Sequence, residues 1–274
     1  VLSIIESITF AEKKEMKIGI VGCGNLGMAI LEGIRKAHPD ATLIASRRNW
    51  NGKQANHPNT FYTESNDELI LKSEILIITL KPYNVIEFIQ SHSSILDPSR
   101  HTLVSAASSI TLREMQEASG KQIDVSRIMP NTASSVNESM TALTVGADNL
   151  NRRGELIRLL GSFGEIVEID EALMESATIL GACGIAYVLR FMRAMIQGGV
   201  EVGFDVVTAT KIVSQTVKGA SELILQNGTH PEEEIDRVTT PKGCTIVGLN
   251  EMEHSGFSSA LIKGIVTSYE KISK

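Results

Sequence analysis

Cysteine is scarce in this chain, with three in 274 residues. Cys23, Cys183 and Cys244 lie far apart and form no CxxC pair, which argues against a zinc site and a redox dithiol. Scattered thiols in odd number suit a reducing compartment, so a cytoplasmic location is expected. Aromatic residues make up only 4%, which leaves Ala, Val, Ile, Leu and Met to build the cores. A basic excess is missing as well: the net charge is −6, so no nucleic-acid partner is expected. Apolar runs stay short of the roughly 18 residues that suggest a membrane span, and no membrane partner is expected. Residues 1–15 lack the basic start of a signal peptide and carry Glu6, Glu12 and Glu15. Met16 stands directly before the first strand, so 1–15 is expected to be an N-terminal extension. His38, His57, His92, His101, His230 and His254 show no metal-ligand spacing, and no metal is expected.

What is present is a two-part pattern. A length of 274 residues suits two domains, and 42% hydrophobic content is ample for packed cores. In the first half, MKIGIVGCG (16–24), ATLIAS (41–46), EILIITL (74–80), HTLVSAAS (101–108) and SRIMP (126–130) read as strands. Helical spacing at 25–37, 67–72 and 111–119 alternates with them. Continuous apolar strands alternating with helices predict a parallel sheet covered on both faces, the doubly wound α/β class of Rossmann type. From Asp170 onward strand patterning stops, and an all-helical domain is expected over 170–274, after a dinucleotide-binding domain over 16–169. Residues 171–203 predict a long helix that is apolar nearly all round, which favours burial between two copies of the chain. Asp205 is expected to cap the next helix, Gly228 to end it, and Thr229 with Glu232 to form a capping box after that.

Gly22-Cys23-Gly24-Asn25-Leu26-Gly27 is GxGxxG between a strand and a helix, the context in which the pattern signifies dinucleotide binding. The glycines allow a tight turn, approach of a pyrophosphate and close helix–strand packing, while the helix N-terminus offers N–H groups and a positive dipole. The second strand ends in Ala45-Ser46-Arg47-Arg48. A carboxylate there would accept hydrogen bonds from the ribose hydroxyls of NAD; guanidinium groups instead pair with phosphate, which points to NADPH and its 2′-phosphate.

Several stretches together resemble the pyrroline-5-carboxylate reductase family from Met16 to about Ser273: GIVGCGNLGMAI (19–30), ITLKP (78–82), RIMPNTA (127–133), ACGIAYVLRFMRA (182–194) and DRVTTPKGCTIVGLNEMEHSGF (236–257). The resemblance implies reduction of the C=N bond of L-1-pyrroline-5-carboxylate to L-proline, the last step of proline biosynthesis, with NADPH, or more weakly NADH, as hydride donor. It implies a helical domain that pairs in a homodimer, with larger rings of dimers in some members. It also implies cofactor contacts at Val21, Gly22, Cys23, Gly24, Asn25, Leu26 and Gly27, at Ser46, Arg47 and Asn66, at Leu80, Lys81 and Pro82, and at Ala106, Ala107 and Asn131. The substrate loop it implies is Thr240 to Thr245, with Thr240, Gly243, Cys244 and Thr245 at the substrate. Gly243-Cys244-Thr245 opens a helix, whose N–H groups suit a carboxylate, and the Thr245 hydroxyl can hydrogen-bond the ring nitrogen. A plain N-cap role for Thr245 stays open beside the catalytic one.

Three departures from the family pattern stand out. Ala182-Cys183-Gly184-Ile185 replaces Gly-Ser-Gly-Pro, Gly228 replaces a glutamate, and Lys242 replaces a glycine. Lysine at a position of positive φ costs about 1 kcal/mol or more. These departures keep a second possibility in view, a weakly active relative that senses NADPH or serves as an interaction subunit. A third, another Rossmann reductase such as a β-hydroxyacid dehydrogenase, is disfavoured because residues 171–189 contain no lysine.

Overall fold

Five apolar strands carry the sheet of the first unit: β1 (Lys17–Val21), β2 (Thr42–Ser46), β4 (Ile75–Ile78), β5 (Thr102–Ser105) and β6 (Asp124–Met129). Three more extend it: β3 (Thr60–Thr63), β7 (Ser139–Val145) and β8 (Gly164–Glu168). The computed structural model describes residues 16–52, 54, 57–146 and 150–272, so the expected extension 1–15 lies outside the described residues. The chain divides into two compact units, one ending at Ala182 and the other beginning at Cys183.

The sheet order is β3-β2-β1-β4-β5-β6-β7-β8. All neighbours are parallel except β6 and β7, which run antiparallel. After β1 the chain builds outward through β2 and β3, then returns to add β4 on the other side of β1. That reversal opens a crevice at the carboxyl ends of the strands, the general ligand position in doubly wound sheets.

Helices α1 (Asn25–Ala37) and α5 (Leu150–Gly161) cover one face; α2 (Asn66–Lys72), α3 (Pro82–Ser91) and α4 (Leu112–Ser119) cover the other. Alternation along the strands divides the side chains accordingly. Ile18, Ile20, Ile75 and Ile77 join Ile30, Ile34, Leu159 and Phe163 in one core. Val21, Leu76 and Ile78 join Leu69, Val85, Phe88 and Ile89 in the other. A capping box between Thr111 and Glu114 starts α4, and Gly120 ends it in the left-handed region.

One buried charge ties the far side of this unit together. Arg127 of β6 is 1% exposed; it donates to Glu171 Oε1 at 3.1 Å and to Glu175 Oε1 at 3.0 Å. The same Glu171 oxygen accepts the Leu112 N–H that opens α4, at 2.7 Å. The segment Glu171–Leu173, the α-turn Met174–Ala177 and a π-helical turn Thr178–Cys183 follow β8.

Every regular element among the described residues of the second unit is a helix: α6 (Gly184–Glu201), α7 (Val206–Asn227), α8 (Pro231–Val238), α9 (Cys244–His254) and α10 (Phe257–Ile272). Asp205 caps α7 by accepting from the Val207 and Thr208 N–H groups, and Gly228 ends it at φ 64°. The expected Thr229/Glu232 capping box is replaced by a different cap. His230 Nδ1 accepts the Glu232 N–H at 3.2 Å, while Thr229 donates to Glu234 Oε1 at 2.6 Å. Pro231 at the first helical position fixes the chain one residue later than the Thr229 signature implied. Tyr187 Oη donates to Ser268 Oγ at 2.8 Å, joining α6 to α10.

Among the described residues of this unit, the buried hydrophobics are Ala209 and Val213. Leu189, Val206, Val207, Leu225 and Ile262 are exposed. The stretch Glu171–Glu201 contains an 18-residue window of mean hydropathy 1.6 that is 17% buried. By length and composition it is apolar enough to cross a membrane, which corrects the sequence-based expectation that no stretch reaches that length. Isolated charges such as Arg190 and Arg193 break the uninterrupted run without lowering the average below that of a spanning segment.

Candidate active site

The glycine turn is held from both sides. Gly22 has φ +85°, a conformation that excludes most side chains. The Gly22 and Cys23 N–H groups both donate to the Ser46 carbonyl at the end of β2, at 3.1 and 2.9 Å. On the β4 side, Thr79 Oγ1 lies 3.0 Å from the Val21 carbonyl and 2.9 Å from the Gly22 carbonyl. A Cβ on Gly27 would approach Thr79 Oγ1 to 2.7 Å, so glycine at that position lets the start of α1 lie close to Thr79, the residue after β4. Gly24 is exposed, and a Cβ there would find its nearest neighbour 3.9 Å away. The backbone at Gly24 is therefore bare toward the crevice, the condition for a pyrophosphate to approach it. The first N–H groups of α1 lie next to it, without intrahelical acceptors.

A crevice of about 470 Å³ opens here, walled by Gly22, Gly24, Ser46, Arg47, Arg48 and Asn66 on one side. Thr79, Leu80 and Lys81 form its floor, and Asn84, Glu87, Phe88 and Ser91 of α3, with its C-cap His92, its other wall. Ser46 Oγ donates to Asn66 Oδ1 at 2.8 Å, which leaves the Asn66 amide nitrogen as a donor. Arg47 is half-buried and donates to the Cys23 carbonyl at 3.3 Å, so its guanidinium is anchored over the glycine turn; Arg48 is exposed. Carboxylates are absent from the end of β2, as the sequence indicated, and Glu87 stands across the crevice on α3. Donor side chains and bare backbone N–H groups fit an anionic dinucleotide with a ribose phosphate. Burial pushes the Cys23 thiol up to about 12, so it stays neutral inside the core beneath the turn.

Not every residue expected at the cofactor lines this crevice. Val21 is fully buried below it, and Ala106 and Ala107 are buried where β5 ends, with the Ala106 N–H donating to the Ile78 carbonyl at 2.9 Å. Pro82 opens α3 at its first position. Asn131 is buried and already engaged: its Oδ1 accepts from the Ala133 N–H at 2.9 Å, and its Nδ2 donates to the Gly181 carbonyl at 3.2 Å. Thr79 and the α3 residues escaped the sequence reading. Helix α3 itself was missed, although Pro82 at its start was a usable signal.

Thr240, Gly243, Cys244 and Thr245 belong to the second unit. The Gly243 N–H donates to the Thr240 carbonyl at 2.9 Å, closing a four-residue turn with Pro241 second and Lys242 third. Lys242 has φ +60°, the left-handed conformation expected of the glycine it replaces. A Cβ on Gly243 would come within 2.6 Å of Thr240 Oγ1. Gly243 is the N-cap of α9 and offers no side-chain cap, so Thr245 is not the cap: it lies in the first helical turn. The N–H groups of that turn remain available to an anion. Replacing Lys242 by glycine is expected to raise stability by about 1 kcal/mol. Urea unfolding measures this, and a destabilised variant would show that the lysine side chain contributes more than its strained backbone costs.

Residues 17–109 match the family of NADP oxidoreductases described as coenzyme F420-dependent, and residues 171–274 match the family described as pyrroline-5-carboxylate reductase dimerisation. Fold and crevice thus define an oxidoreductase of the NADP-binding Rossmann class. Pyrroline-5-carboxylate reductase 2 of Dictyostelium discoideum is 37% identical over 96% of this chain and 94% of its own length. Pyrroline-5-carboxylate reductase 1 of the same organism is 36% identical over 93% of this chain, which spans 49% of that longer protein. The crystal structure of Plasmodium falciparum pyrroline carboxylate reductase with NADP bound superposes with a TM-score of 0.84 at 25% identity, covering 94% of this chain and 97% of that one. The chain belongs to the pyrroline-5-carboxylate reductase family.

Proposed function

We propose that this chain reduces the C=N bond of L-1-pyrroline-5-carboxylate to give L-proline, with NADPH as donor, as the last step of proline biosynthesis. The observation that carries the reading is the crevice at the glycine turn, walled by Ser46, Arg47 and Asn66 with no carboxylate at the end of β2, in a member of this family. When bound, NADPH supplies the hydride. Gly22, Gly24 and the first turn of α1 receive its pyrophosphate, Arg47 and Ser46 its ribose phosphate, and Asn66 its nucleotide. Leu80, Lys81, Pro82, Ala106, Ala107 and Asn131 are assigned to the nicotinamide end. Of these, Leu80 and Lys81 line the crevice, whereas Ala106, Ala107 and Asn131 are buried and do not line it.

The imine carboxylate is assigned to the N-terminus of α9, with Thr240, Gly243 and Cys244 shaping the turn. Thr245 is assigned the ring nitrogen. A protonated imine needs orientation and one polar partner rather than a strong acid, and a hydroxyl suffices for both. Thr245→Ala is expected to lower kcat about tenfold, the value of one hydrogen bond, with NADPH affinity nearly unchanged. Unaltered turnover would exclude Thr245 from the chemistry.

The decisive assay mixes the purified chain with NADPH and pyrroline-5-carboxylate and follows the absorbance of the reduced nicotinamide. Substrate-dependent oxidation with L-proline formed supports the reading. Cofactor binding without oxidation would reassign the chain as a sensor or interaction subunit.

The exposed apolar residues of α6, α7 and α10 favour pairing of the helical unit with a second copy, as a homodimer or a larger ring of dimers, and the scattered thiols favour the cytoplasm. Light scattering on chromatographed protein without detergent tests this. A stable monomer, or extraction that requires detergent, would overturn it.

A further inference from the structure

We propose that Thr79 is a positioning residue for the cofactor: its hydroxyl locks the peptide planes of the glycine turn in the orientation that keeps Gly24 bare toward the crevice. The inference rests on the reading that this crevice binds NADPH. Two consecutive peptides are involved. In the Val21–Gly22 peptide, the carbonyl faces Thr79, accepting its N–H at 2.9 Å and lying 3.0 Å from its Oγ1, while the Gly22 N–H donates to Ser46. In the Gly22–Cys23 peptide, the carbonyl lies 2.9 Å from Thr79 Oγ1, and the Cys23 N–H donates to the same Ser46 carbonyl.

A hydroxyl carries one proton, and the two carbonyls compete for it. The Val21 carbonyl already has a ladder hydrogen bond from the Thr79 backbone. The Gly22 carbonyl has the Gly24 N–H, at 2.6 Å, as its other donor. The Thr79 proton therefore matters most at Gly22, where it fixes a peptide that would otherwise be held on that side by a contact within the turn itself. Nothing in the β-ladder requires a hydroxyl at this place, because the backbone pairing of Thr79 with Val21 would survive any side chain.

The space for that hydroxyl comes from the third glycine of the motif. A Cβ at Gly27 would lie 2.7 Å from Thr79 Oγ1, so Gly27 and Thr79 form a matched pair: the missing side chain of one houses the hydroxyl of the other. Helix α1, whose N-cap Gly24 lines the crevice, is thereby set against the residue that follows β4 by the same side chain that fixes the turn. Turn and helix N-terminus are the two halves of an anion site, and one side chain places both.

The test compares wild type with Thr79→Val, which keeps the shape and removes the hydroxyl, and Thr79→Ser, which restores it. The readouts are NADPH affinity by nicotinamide fluorescence, KM for NADPH, KM for the imine, kcat and the unfolding temperature. The expected result is an affinity for NADPH about tenfold weaker in Thr79→Val, matched by its KM, with kcat and the imine KM unchanged and with recovery in Thr79→Ser. A purely structural role would lower the unfolding temperature and the amount of active protein without moving KM for NADPH, and that pattern overturns the proposal. Equal weakening in the valine and serine variants also overturns it, because the hydroxyl would then be irrelevant. Should Thr79→Val fail to fold, Thr79→Ala is judged by the same criteria. Absence of NADPH binding in wild type is a different failure, one that removes the reading of the crevice itself.

Discussion

Arg47→Asp is expected to raise KM for NADPH about 100-fold while leaving KM for NADH within a few-fold. Hydrogen bonds to a charged partner contribute about 1.5–3 kcal/mol, and about 2.7 kcal/mol corresponds to 100-fold. The new carboxylate both removes the guanidinium and repels the 2′-phosphate, yet it can accept hydrogen bonds from the unphosphorylated ribose. The site makes this separation possible because Arg47 is pinned to the Cys23 carbonyl beside the glycine turn, whereas Arg48 is exposed. Arg48→Asp is accordingly expected to have the smaller effect. Steady-state kinetics with both cofactors decides the matter; equal losses for NADPH and NADH would remove the phosphate contact from Arg47.

Arg127→Met is expected to destabilise the first unit by about 3 kcal/mol, the lower end of the cost of breaking a buried ion pair. The lower end applies because Glu171 and Glu175 remain 32% and 24% exposed and regain some water when their partner is lost, whereas the guanidinium is 2% exposed. Glu171 also accepts the Leu112 N–H, so the change is expected to loosen the start of α4 too. Thermal unfolding should fall by on the order of 10 °C. Adding Glu171→Gln and Glu175→Gln to Arg127→Met removes the stranded charges and should restore part of the loss. An Arg127→Met variant as stable as wild type would show that β6 is held by its neighbours alone.

The parts of the fold that the sequence displayed are those with a strong local pattern. EILIITL has no partner requirement to read as a buried strand, and the glycine turn lies between strand and helix within a dozen or so residues. Strands β7 and β8 were missed for a physical reason: Ser139, Thr141 and Thr144 are polar yet buried, and β8 keeps Glu165 and Glu168 in water, so neither shows a continuous apolar run. The antiparallel step at β6–β7 was hidden with them. At the candidate site, Gly22, Gly24, Ser46 and Arg47 of the crevice wall were legible because GxGxxG and Ser46-Arg47 are each short local motifs. Thr79 was not, since its meaning depends on the register that pairs Val21 with Ile78 and so brings the next residue, Thr79, within hydrogen-bond reach of the Val21 carbonyl. Lys242 was legible as a departure, and its φ of +60° shows the backbone kept the glycine conformation after the residue changed.

The three thiols meet very different surroundings. Cys23 is neutral and sealed beneath the glycine turn, Cys183 is half-buried, and Cys244 is exposed in the first turn of α9. An electrophile or a burst of peroxide therefore meets Cys244 long before it can touch Cys23. Oxidative stress would be felt first at the start of α9, to which the imine is assigned above, with the core beneath the glycine turn spared, so a single alkylating label on Cys244 offers a handle on the proposed substrate end.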